Sequence, residues 1–354
     1  MAAAAAPRVL PRFLRAAGIP APGTAALPLR GATAAPARAR AAAAAAGSLA
    51  APARAFSACP AACTKSQSAR NDVPAPPADE RAATASAYLG TSKRLPEFSL
   101  KDKVVLVSGA ARGLGLTQAE ALLEAGATVY ALDRLASPSP AFAPLQARAT
   151  QDLGTALHYR QVDVRDAEAL HATVREIADA HGRLDGLVAA AGIQQETPAL
   201  EYTAEDANRM FAVNVTGVLV TAQAAAKQMI RFGNGGSIVL IASMSGTVAN
   251  RGLICSAYNA SKAGVIQLAR NLASEWGTYG IRVNTISPGY IVTAMVEELF
   301  KKYPERRTDW PTQNMLGRLS SPEEYRGAAV FLVSDASSFM TGSDLRMDGG
   351  HAAW

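Results

Sequence analysis

After about residue 95, short apolar runs alternate along the chain with longer amphipathic stretches. Residues 104–107 (Val-Val-Leu-Val) form a continuous apolar run that ends at Ser108 and Gly109, which predicts a parallel strand buried on both faces. Further runs predict strands at 128–132, 157–162, 186–190, 237–242, 282–286 and 345–347. The stretches between them predict helices at 115–125, 167–180, 208–231 and 256–279.

Strands and helices that alternate over roughly 250 residues predict an α/β fold, a single doubly wound Rossmann domain with a parallel sheet. We place this domain at residues 97–354. Ligands bind such sheets at the carboxyl ends of the strands, so polar residues there are the candidate site residues. Residues 140–150 are predicted as a loop, and 291–316 as a helical insertion that covers the site as a lid.

The charge of the chain is unevenly distributed. The formal net charge is +6, yet the first 70 residues contain nine Arg and Lys and no Asp or Glu. The rest of the chain has 26 basic and 29 acidic residues, a net charge of −3. Because the predicted domain has no basic excess, we expect no nucleic-acid partner. We predict no membrane-spanning stretch either.

Residues 1–57 have the composition of an organelle transit peptide, rich in Ala, Arg and Pro and free of acids. The segment from Arg54 to Ser57 resembles a matrix-protease cleavage context, and serine is absent from the first 47 residues, which fits a plastid peptide poorly. We therefore expect a mitochondrial matrix protein, with a cytoplasmic protein carrying a tail without an address as the alternative. Residues 58–96 are predicted to be a disordered linker.

Cysteine and histidine spacing does not indicate a metal site, and we predict none. Cys59 and Cys63 have C-x-x-x-C spacing, which is neither a usual zinc knuckle nor a redox pair. Cys255 is predicted to be a small buried hydrophobic residue.

A glycine-rich turn, Ser-Gly-Ala-Ala-Arg-Gly-Leu-Gly at 108–115, joins the first predicted strand to the first predicted helix. Glycine lets backbone N–H groups approach a pyrophosphate, and the helix N-terminus adds partial positive charge. The strand before it, the helix after it and an acid at the end of the second strand complete a dinucleotide pattern. The candidate cofactor-binding residues of the turn are Gly109, Arg112, Gly113, Leu114 and Gly115.

Asp133, at the end of the second predicted strand, bears on the choice between NAD and NADP. A carboxylate there accepts both hydroxyls of the adenosine ribose and repels a 2′-phosphate, which favours NAD. Arg112 or Arg134 would neutralise such a phosphate, so NADP is the alternative. Asp163 and the neighbouring Val164 end the third strand and are candidates for the adenine contact, with a turn-capping aspartate as the competing interpretation.

Tyr258 and Lys262 are the candidate catalytic pair, because residues four apart on a helix share one face. A tyrosine with a pKa of about 10 is a poor base at neutral pH. We expect the Lys262 ammonium, together with the positive charge of an oxidised nicotinamide, to lower the pKa of Tyr258. Tyr258 then takes the proton of an alcohol or donates one to a carbonyl, while Lys262 also holds the nicotinamide ribose.

Two polar positions upstream complete the candidate catalytic set. Ser243 ends a predicted strand, where its hydroxyl would polarise the substrate oxygen, and Ser245 is its rival for this role. Asn214 lies inside the predicted helix 208–231. It either holds a water that links Lys262 to solvent or bonds nearby backbone.

A proline–glycine turn follows the predicted strand at 282–286. This rigid turn, Pro288 and Gly289, is expected to bring the backbone at Ile291 and the Thr293 hydroxyl to the nicotinamide amide and the phosphates. These four residues are the remaining candidates for cofactor binding.

These residues resemble the short-chain dehydrogenase/reductase family over about residues 98–354. The 108–115 segment matches the family's cofactor turn, and Asn214, Ser243, Tyr258 and Lys262 fall on its catalytic tetrad. The resemblance implies NAD(P)-dependent oxidoreduction of a hydroxyl group and a homotetramer, with a homodimer as the alternative. The chain departs from the family at 189–192, where Ala-Ala-Ala-Gly replaces Asn-Asn-Ala-Gly, and at Ser108, which replaces threonine; neither change removes a catalytic atom.

Two details are similar to the fungal polyol dehydrogenases of the D-arabinitol, mannitol and sorbose type. They are the fifteen-residue interval from Ser243 to Tyr258 and the segment 341–350 with a terminal Trp354. The leading hypothesis is therefore an NAD-preferring dehydrogenase of a small-molecule polyol. A 3-oxoacyl or hydroxyacyl thioester reductase is the alternative, in which a basic pocket mouth would be formed by Lys301, Lys302, Arg306 and Arg307. A non-enzymatic dinucleotide sensor or scaffold is a third hypothesis, against which the intact tetrad argues.

Overall fold

The computed structural model describes residues 95–354. The predicted transit peptide (1–57) and nearly all of the predicted linker (58–96) lie outside the described residues. The predicted domain (97–354) lies entirely within them.

Within residues 95–354, seven parallel strands form one sheet in the order β3-β2-β1-β4-β5-β6-β7. The strands are β1 (Val104–Ser108), β2 (Thr128–Asp133), β3 (Leu157–Gln161), β4 (Gly186–Ala189), β5 (Gly236–Ile241), β6 (Ile281–Pro288) and β7 (Asp344–Met347). Apart from shifts of one or two residues at their ends, all seven were predicted. The single doubly wound sheet is confirmed.

Helices cover both faces of this sheet. Alternate residues of β1, such as Val105 and Leu106, belong to two separate apolar clusters. One face is covered by α1 (Gly113–Glu124), α2 (Phe142–Gln151) and α9 (Arg326–Val333), and the other by α3 (Ala167–His181), α5 (Val218–Phe232) and α6 (Ser256–Trp276). β1 is buried along its whole length, as a parallel strand between two helical layers must be.

The prediction of a loop at 140–150 is wrong, because α2 occupies Phe142–Gln151. Phe142, Leu145 and Ala149 bury one face of this helix against the sheet at helical spacing. Pro144 lies within the first turn, where the missing N–H would have had no partner inside the helix. The helix therefore forms although its first turn contains a proline.

The helix predicted at 208–231 begins earlier and is irregular. It consists of α4 (Ala204–Phe211), a π-helical turn (Ala212–Gly217) and α5. The Thr203 side chain caps α4 by accepting from the Asp206 N–H. The helical span Ala204–Phe232 is long and apolar enough to cross a membrane. Half of its most apolar stretch is buried inside the domain, however, as in a core helix.

The chain leaves β1 towards β2 and β3 on one side and returns to β4 on the other, so β1 and β4 are neighbours at the switch point of the sheet. The glycine-rich turn follows β1, and a long loop follows β4. The Ser108 hydroxyl joins these two segments by accepting from the Ala191 N–H at 3.3 Å. This crevice is the position at which doubly wound sheets bind ligands.

Candidate active site

The glycine-rich turn is closed by main-chain contacts that exclude side chains. A Cβ at Gly109, where φ is +71°, would lie 2.7 Å from the Ala191 Cα. A Cβ at Gly115 would lie 2.4 Å from the Gly109 carbonyl oxygen. Both positions therefore require glycine for packing alone.

Gly113 differs from these two glycines, because nothing lies within 4 Å of the position that a Cβ would take there. It is the first residue of α1 and has a φ of +57°. The helix N-terminus and its free N–H groups thus face open space at this residue. This is a cradle of the kind that a pyrophosphate fills, so the turn fits a dinucleotide.

Asp133 lies at the carboxyl end of β2 and is partly buried. One carboxylate oxygen accepts from the Ala111 N–H of the glycine-rich turn at 3.1 Å, and the other accepts from the Leu135 N–H at 3.2 Å. Each oxygen keeps a lone pair for a ligand hydroxyl. Arg112 and Arg134 are exposed to solvent.

Asp163 has a structural partner. Arg165 holds its carboxylate with three guanidinium hydrogen bonds, the shortest at 2.6 Å, and donates its backbone N–H at 2.9 Å. These hydrogen bonds lower the pKa of Asp163. Asp163 thus forms a turn, as the competing interpretation expects, and its contact with the adenine stays a prediction. The adjacent Val164 is buried, and a Cβ on Gly217 would come within 2.7 Å of its Cγ2, so Val164 packs on the π-helical turn.

Lys262 is buried at the inner face of α6, with 5% of its surface exposed. Its ammonium donates to the Ile241 carbonyl at the end of β5 at 2.8 Å and lies 5.6 Å from the centre of the Tyr258 ring. Burial lowers the pKa of Lys262 to about 8. The predicted pair is therefore brought together by the helix, and the strand end anchors the lysine.

The expected lowering of the Tyr258 pKa is not produced by the protein's own groups. Burial raises the pKa of Tyr258 to about 12, against a smaller lowering by the hydrogen bond with the Ser243 side chain. The nearby Cys255 raises the pKa further. Desolvation of the phenolate outweighs the attraction to a lysine whose own charge is disfavoured. Any lowering must come from the positive charge of the oxidised cofactor.

The structure distinguishes Ser243 from its rival. The Ser243 side chain interacts with the Tyr258 phenol and accepts from the Ser245 N–H at 3.2 Å. The Ser245 hydroxyl instead donates to the Asn250 side-chain oxygen at 2.7 Å. Ser243 is thus the serine beside the candidate base.

Asn214 is fully buried in the π-helical turn, where the wider helix turns its side chain inward. Its amide exchanges hydrogen bonds with the backbone of Ile193, each at 2.9 Å, and donates to the Ser261 hydroxyl at 3.0 Å. Backbone bonding, one of the two interpretations of Asn214, is therefore observed. A Cβ at Gly192 would lie 3.5 Å from Asn214 Oδ1 and 3.6 Å from Lys262 Nζ, so this glycine leaves space that the two groups share.

The last group of candidates for cofactor binding lies at and directly after the proline–glycine turn. Pro288 ends β6, and a Cβ at Gly289 would lie 2.8 Å from the Asp348 Cα. Ile291 forms a parallel bridge with Ser320. Thr293 caps α7 (Ala294–Lys302) by accepting from the Val296 N–H at 3.3 Å.

The insertion at 291–316 contains α7, α8 (Arg306–Asp309) and a 3₁₀ turn at Trp310–Gln313. Its predicted helical character is confirmed. Trp310 stacks on Tyr290 with ring centres 4.3 Å apart, and Tyr290 meets His351 edge to face at 5.5 Å. Arg306 ties this insertion to the loop after β4 through a bidentate pair with Glu196, at 2.9 and 2.7 Å. The insertion is therefore joined to the loop after β4 and to the segment that follows β6.

Sequence reasoning did not single out Tyr290, Asn250 or the Arg306–Glu196 pair. Tyr290 directly follows the proline–glycine turn, and this position was the available signal. Asn250 lies within the Ser243–Tyr258 interval, but its burial, with 6% exposed, is visible only in the structure. Cys255 is buried as predicted, and burial raises its pKa to about 11.

A family model described as enoyl-(acyl carrier protein) reductase matches residues 109–352, which is more than half of the chain. The match begins at the glycine-rich turn and includes all four candidate catalytic residues. The chain belongs to the short-chain dehydrogenase/reductase family. As a member it is an oxidoreductase that acts on CH–OH groups with NAD(P).

Three curated relatives illustrate the range of this similarity. Short chain dehydrogenases/reductase notP' of Aspergillus versicolor is 40% identical over 269 residues, 73% of this chain and 89% of the relative. D-arabinitol 2-dehydrogenase (ribulose-forming) of Candida albicans is 36% identical over 280 residues, 76% of this chain and 99% of the relative. Galactitol 2-dehydrogenase (L-tagatose-forming) of Cereibacter sphaeroides is 39% identical over 258 residues, 73% of this chain and 98% of the relative.

Solved structures agree with this family. A short-chain dehydrogenase/reductase from Mycobacterium marinum has a TM-score of 0.66 and 36% identity over 73% of this chain and 99% of its own. A gluconate 5-dehydrogenase from Burkholderia cenocepacia in complex with NADP and tartrate has a TM-score of 0.65 and 34% identity over 73% and 99%. A carveol dehydrogenase from Mycobacterium avium in complex with NAD has a TM-score of 0.65 and 33% identity over 71% and 98%.

Proposed function

We propose that this protein interconverts a polyol and its ketose and prefers NAD to NADP. The observation that carries the proposal is the Tyr258 phenol beside Ser243 and Lys262 at the carboxyl edge of the sheet. The relatives that act on D-arabinitol and galactitol support a polyol as the substrate class. The interval from Ser243 to Tyr258, which resembles that of polyol dehydrogenases, supports the same class.

The chain's own residues divide the work of the oxidation. Ser243 holds the substrate hydroxyl against the Tyr258 phenol, and Tyr258 as phenolate takes the hydroxyl proton. Lys262, held by the Ile241 carbonyl beside the Tyr258 ring, would hold the nicotinamide ribose, and the positive charge of the oxidised cofactor would favour the phenolate. Because the phenolate is the active form, the rate of oxidation should rise with pH.

The glycine-rich turn with Gly113 and the helix N-terminus would hold the pyrophosphate of the cofactor, and Asp133 would hold the adenosine ribose. When bound, NAD supplies the acceptor for the hydride that leaves the alcohol carbon. The free lone pairs of Asp133 and its negative charge support NAD over NADP. The side chains of Arg112 and Arg134 are exposed to solvent. A 2′-phosphate would find a positive partner in either of them, so NADP is the alternative to be measured.

The thioester reductase is less well supported, because most of the basic side chains of the insertion are neutralised. Arg306 pairs with Glu196, Arg307 with Glu297, and Lys301 with Glu298. A surface that binds an acidic carrier needs unneutralised positive charge. No specific observation therefore favours this second function.

The test is a substrate panel of pentitols, hexitols, ketoses and acetoacetyl thioesters, run with both cofactors. We expect the highest kcat/KM for a polyol or ketose and a preference for NAD. Tyr258→Phe should lower kcat at least about 100-fold, since it removes the proton acceptor. A thioester that exceeds every polyol and ketose would reject the proposal.

We also propose that the protein acts in the mitochondrial matrix. The support is the composition of residues 1–57, which carry basic residues and no acids. The full chain fused to a fluorescent protein should reach mitochondria, and the fusion that lacks residues 1–56 should not. An unchanged location would reject the address.

A homotetramer, or failing that a homodimer, is the assembly that we propose. Its support is an apolar groove shared by α5 and α6, where Leu219, Leu268 and Trp276 remain partly exposed and Ile230 is 38% exposed. Light scattering of the purified protein should give a mass of four or two chains, and a monomer would contradict this.

A further inference from the structure

An ion pair joins two segments that leave the sheet on either side of β5. Arg306 lies in the insertion (291–316), which follows β6, and Glu196 lies in the loop after β4 (190–203). Strands β4 and β6 are the two neighbours of β5 in the sheet, and the candidate catalytic Ser243 lies just after β5. The pair therefore connects the segments that follow the two strands flanking the candidate serine.

The geometry of this pair is that of a strong contact. Arg306 donates from Nη1 and Nη2 to the two carboxylate oxygens of Glu196, at 2.9 and 2.7 Å. The Arg306 side chain is 12% exposed, the lowest value for the basic member of any ion pair within residues 95–354. Bidentate pairs between charged groups are among the strongest side-chain contacts, and low exposure limits their screening by salt.

Arg306 is held by aromatic residues of its own insertion. Its guanidinium carbon lies 4.3 Å from the centre of the Tyr303 ring and 5.5 Å from the centre of the Trp310 ring. Trp310 is buried and stacks on Tyr290. Because a guanidinium that stacks on aromatic rings keeps few rotamers, Arg306 is expected to move together with the insertion.

Glu196 is held by the residues on both sides of it. The Thr197 N–H donates to the Ile254 carbonyl at 2.9 Å. The Gln195 side-chain oxygen accepts from Arg209 of α4 at 2.6 Å. The loop therefore keeps Glu196 in a fixed position, to which the arginine of the insertion binds.

A short series of contacts connects this loop to the candidate base. Ile254, which accepts from the loop, directly precedes Cys255, and the Cys255 thiol donates to Asn259 Oδ1 at 3.0 Å. Asn259 directly follows Tyr258 on α6. The loop after β4 is thus attached to the turn of helix that carries the candidate base.

The insertion and this loop are joined at a single place. The two hydrogen bonds between Arg306 and Glu196 are the only ones that link 190–203 with 291–316 in the part of the chain that the structure describes. One ion pair therefore separates a joined state from an open one. An insertion attached in this way can open without the loss of any backbone hydrogen bond to the loop.

We propose that Arg306 and Glu196 are positioning residues, whose ion pair holds the insertion closed over bound substrate and opens to admit substrate and release product. Closure excludes water and strengthens the polar contacts inside the site, and the site must open again in each turnover. Neither residue is assigned a contact with the reacting atoms. The inference goes beyond the proposed function, because it holds for any substrate of the site.

The first experiment measures kcat and KM of the full-length protein with the substrate of highest kcat/KM in the panel. Arg306→Gln should raise KM for this substrate roughly 10-fold, because the closed state loses a bidentate charged pair. The value of kcat should fall by less than about twofold, since substrate that is bound still meets the unchanged catalytic groups. Glu196→Gln should have the same two effects.

The double variant tests whether the two residues act as a pair. Arg306→Gln combined with Glu196→Gln should have a KM within about twofold of either single variant, because the second change removes a contact that the first has already broken. Arg318→Gln is the matched control. Arg318 also holds a carboxylate, that of Glu324, with hydrogen bonds at 2.8 and 2.6 Å, but its partner lies in the same segment. Its KM should equal that of the wild type.

A second experiment measures opening without substrate. The protease Lys-C cleaves after lysine, and Lys301 and Lys302 end α7 of the insertion. Under native conditions Arg306→Gln should speed cleavage after these lysines at least about fivefold, since a segment that opens more often is cut faster. Cleavage after Lys227 on α5 is the internal control and should change by less than about twofold, as should every rate in Arg318→Gln.

The outcomes separate this inference from the proposed function. Additive changes of KM in the double variant, a fall in kcat at unchanged KM, or cleavage of Arg306→Gln at the rate of Arg318→Gln would each overturn the inference. If the wild type turns over a thioester better than any polyol, the proposed function fails. The same variants measured with that thioester still test the ion pair.

Discussion

The glycine-rich turn and the Tyr258–Lys262 pair lie at the same edge of the sheet, but opposite physical terms shape them. The turn functions because side chains are absent, and a Cβ at Gly115 would overlap the Gly109 carbonyl oxygen at 2.4 Å. The pair functions because titratable side chains are buried, which moves the pKa of Lys262 to about 8 and that of Tyr258 to about 12.

This difference predicts opposite responses to substitution. At Gly109 and Gly115, the shape that suits a cofactor is also the shape that packs, so fold and function should be lost together. Around Lys262, the charge that serves catalysis is unfavourable in a buried position. Removal of this charge should therefore lower activity and raise the stability of the fold. The predictions below test this contrast, beginning with the largest effect.

Lys262→Met should lower kcat/KM for the polyol at least about 100-fold and yet stabilise the fold. Burial shifts the pKa of the wild-type lysine from 10.5 to about 8, which corresponds to about 3 kcal/mol against folding at neutral pH. The Ile241 carbonyl loses its donor at a cost of about 1–2 kcal/mol, so we expect a net gain of about 1–2 kcal/mol at pH 7. Urea unfolding and steady-state kinetics measure the two effects.

The pH dependence of this stability difference has a defined sign. Between pH 8 and 10.5 the unfolded wild-type chain binds a proton that the folded chain has released, so wild-type stability rises with pH relative to the variant. The advantage of Lys262→Met should therefore be largest below pH 8 and shrink towards pH 10.5. The control Lys101→Met, at an exposed position outside the proposed interface, should change stability by less than about 0.5 kcal/mol. A Lys262→Met protein less stable than the wild type at pH 7 would contradict the contrast.

Gly115→Ala should destabilise the domain by about 2–3 kcal/mol, because its Cβ meets fixed backbone. Gly113→Ala is the matched variant, since its Cβ points into open space and the strain of a positive φ costs only about 1–2 kcal/mol. Gly113→Ala should instead raise KM for NAD several-fold by filling the cradle. Thermal unfolding measures the loss of stability in both variants, and steady-state kinetics measure KM for NAD. Equal losses of stability would contradict the expected difference between the two positions.

Asp133→Asn should lower kcat/KM for NAD roughly 10-fold and raise the ratio of NADP to NAD turnover, because the hydrogen bonds to the ribose lose their charge. Asp163→Asn is the matched variant, since Arg165 occupies its carboxylate. It should change cofactor selectivity by less than about twofold. Equal effects of the two substitutions on cofactor selectivity would show that the ion pair with Arg165 does not prevent Asp163 from binding the cofactor.

The fold was predictable because its strands are short apolar runs closed by turn residues. Residues 104–107 are an example, and β1 begins at the predicted residue. Prediction failed at α2, where a loop was expected although Phe142, Leu145 and Ala149 bury one face of a helix. The buried face outweighed local propensity, as tertiary packing commonly does.

The candidate site was predictable in its positions and less so in its energetics. Ser243, Tyr258 and Lys262 come together as their spacing on a strand end and a helix implies. The protein's own groups raise the pKa of Tyr258, and the sequence did not reveal this because desolvation depends on every atom packed around the phenol; the lowering with bound cofactor stays a prediction. Asn250 escaped prediction because its burial and its hydrogen bonds with Ser245 and Asn259 form only in the folded chain.

The amino-acid sequence by itself determined the order of strands and helices, the glycine-rich turn and the catalytic pair. These features depend on local spacing: helical periodicity, apolar runs and the residues that end them. Only the tertiary structure decided that Ser243 rather than Ser245 meets Tyr258, that Asp163 is held by Arg165, and that Asn214 bonds the backbone of Ile193. Each of these depends on which groups lose water and which neighbours replace it, and that is set by contacts between distant segments of the chain.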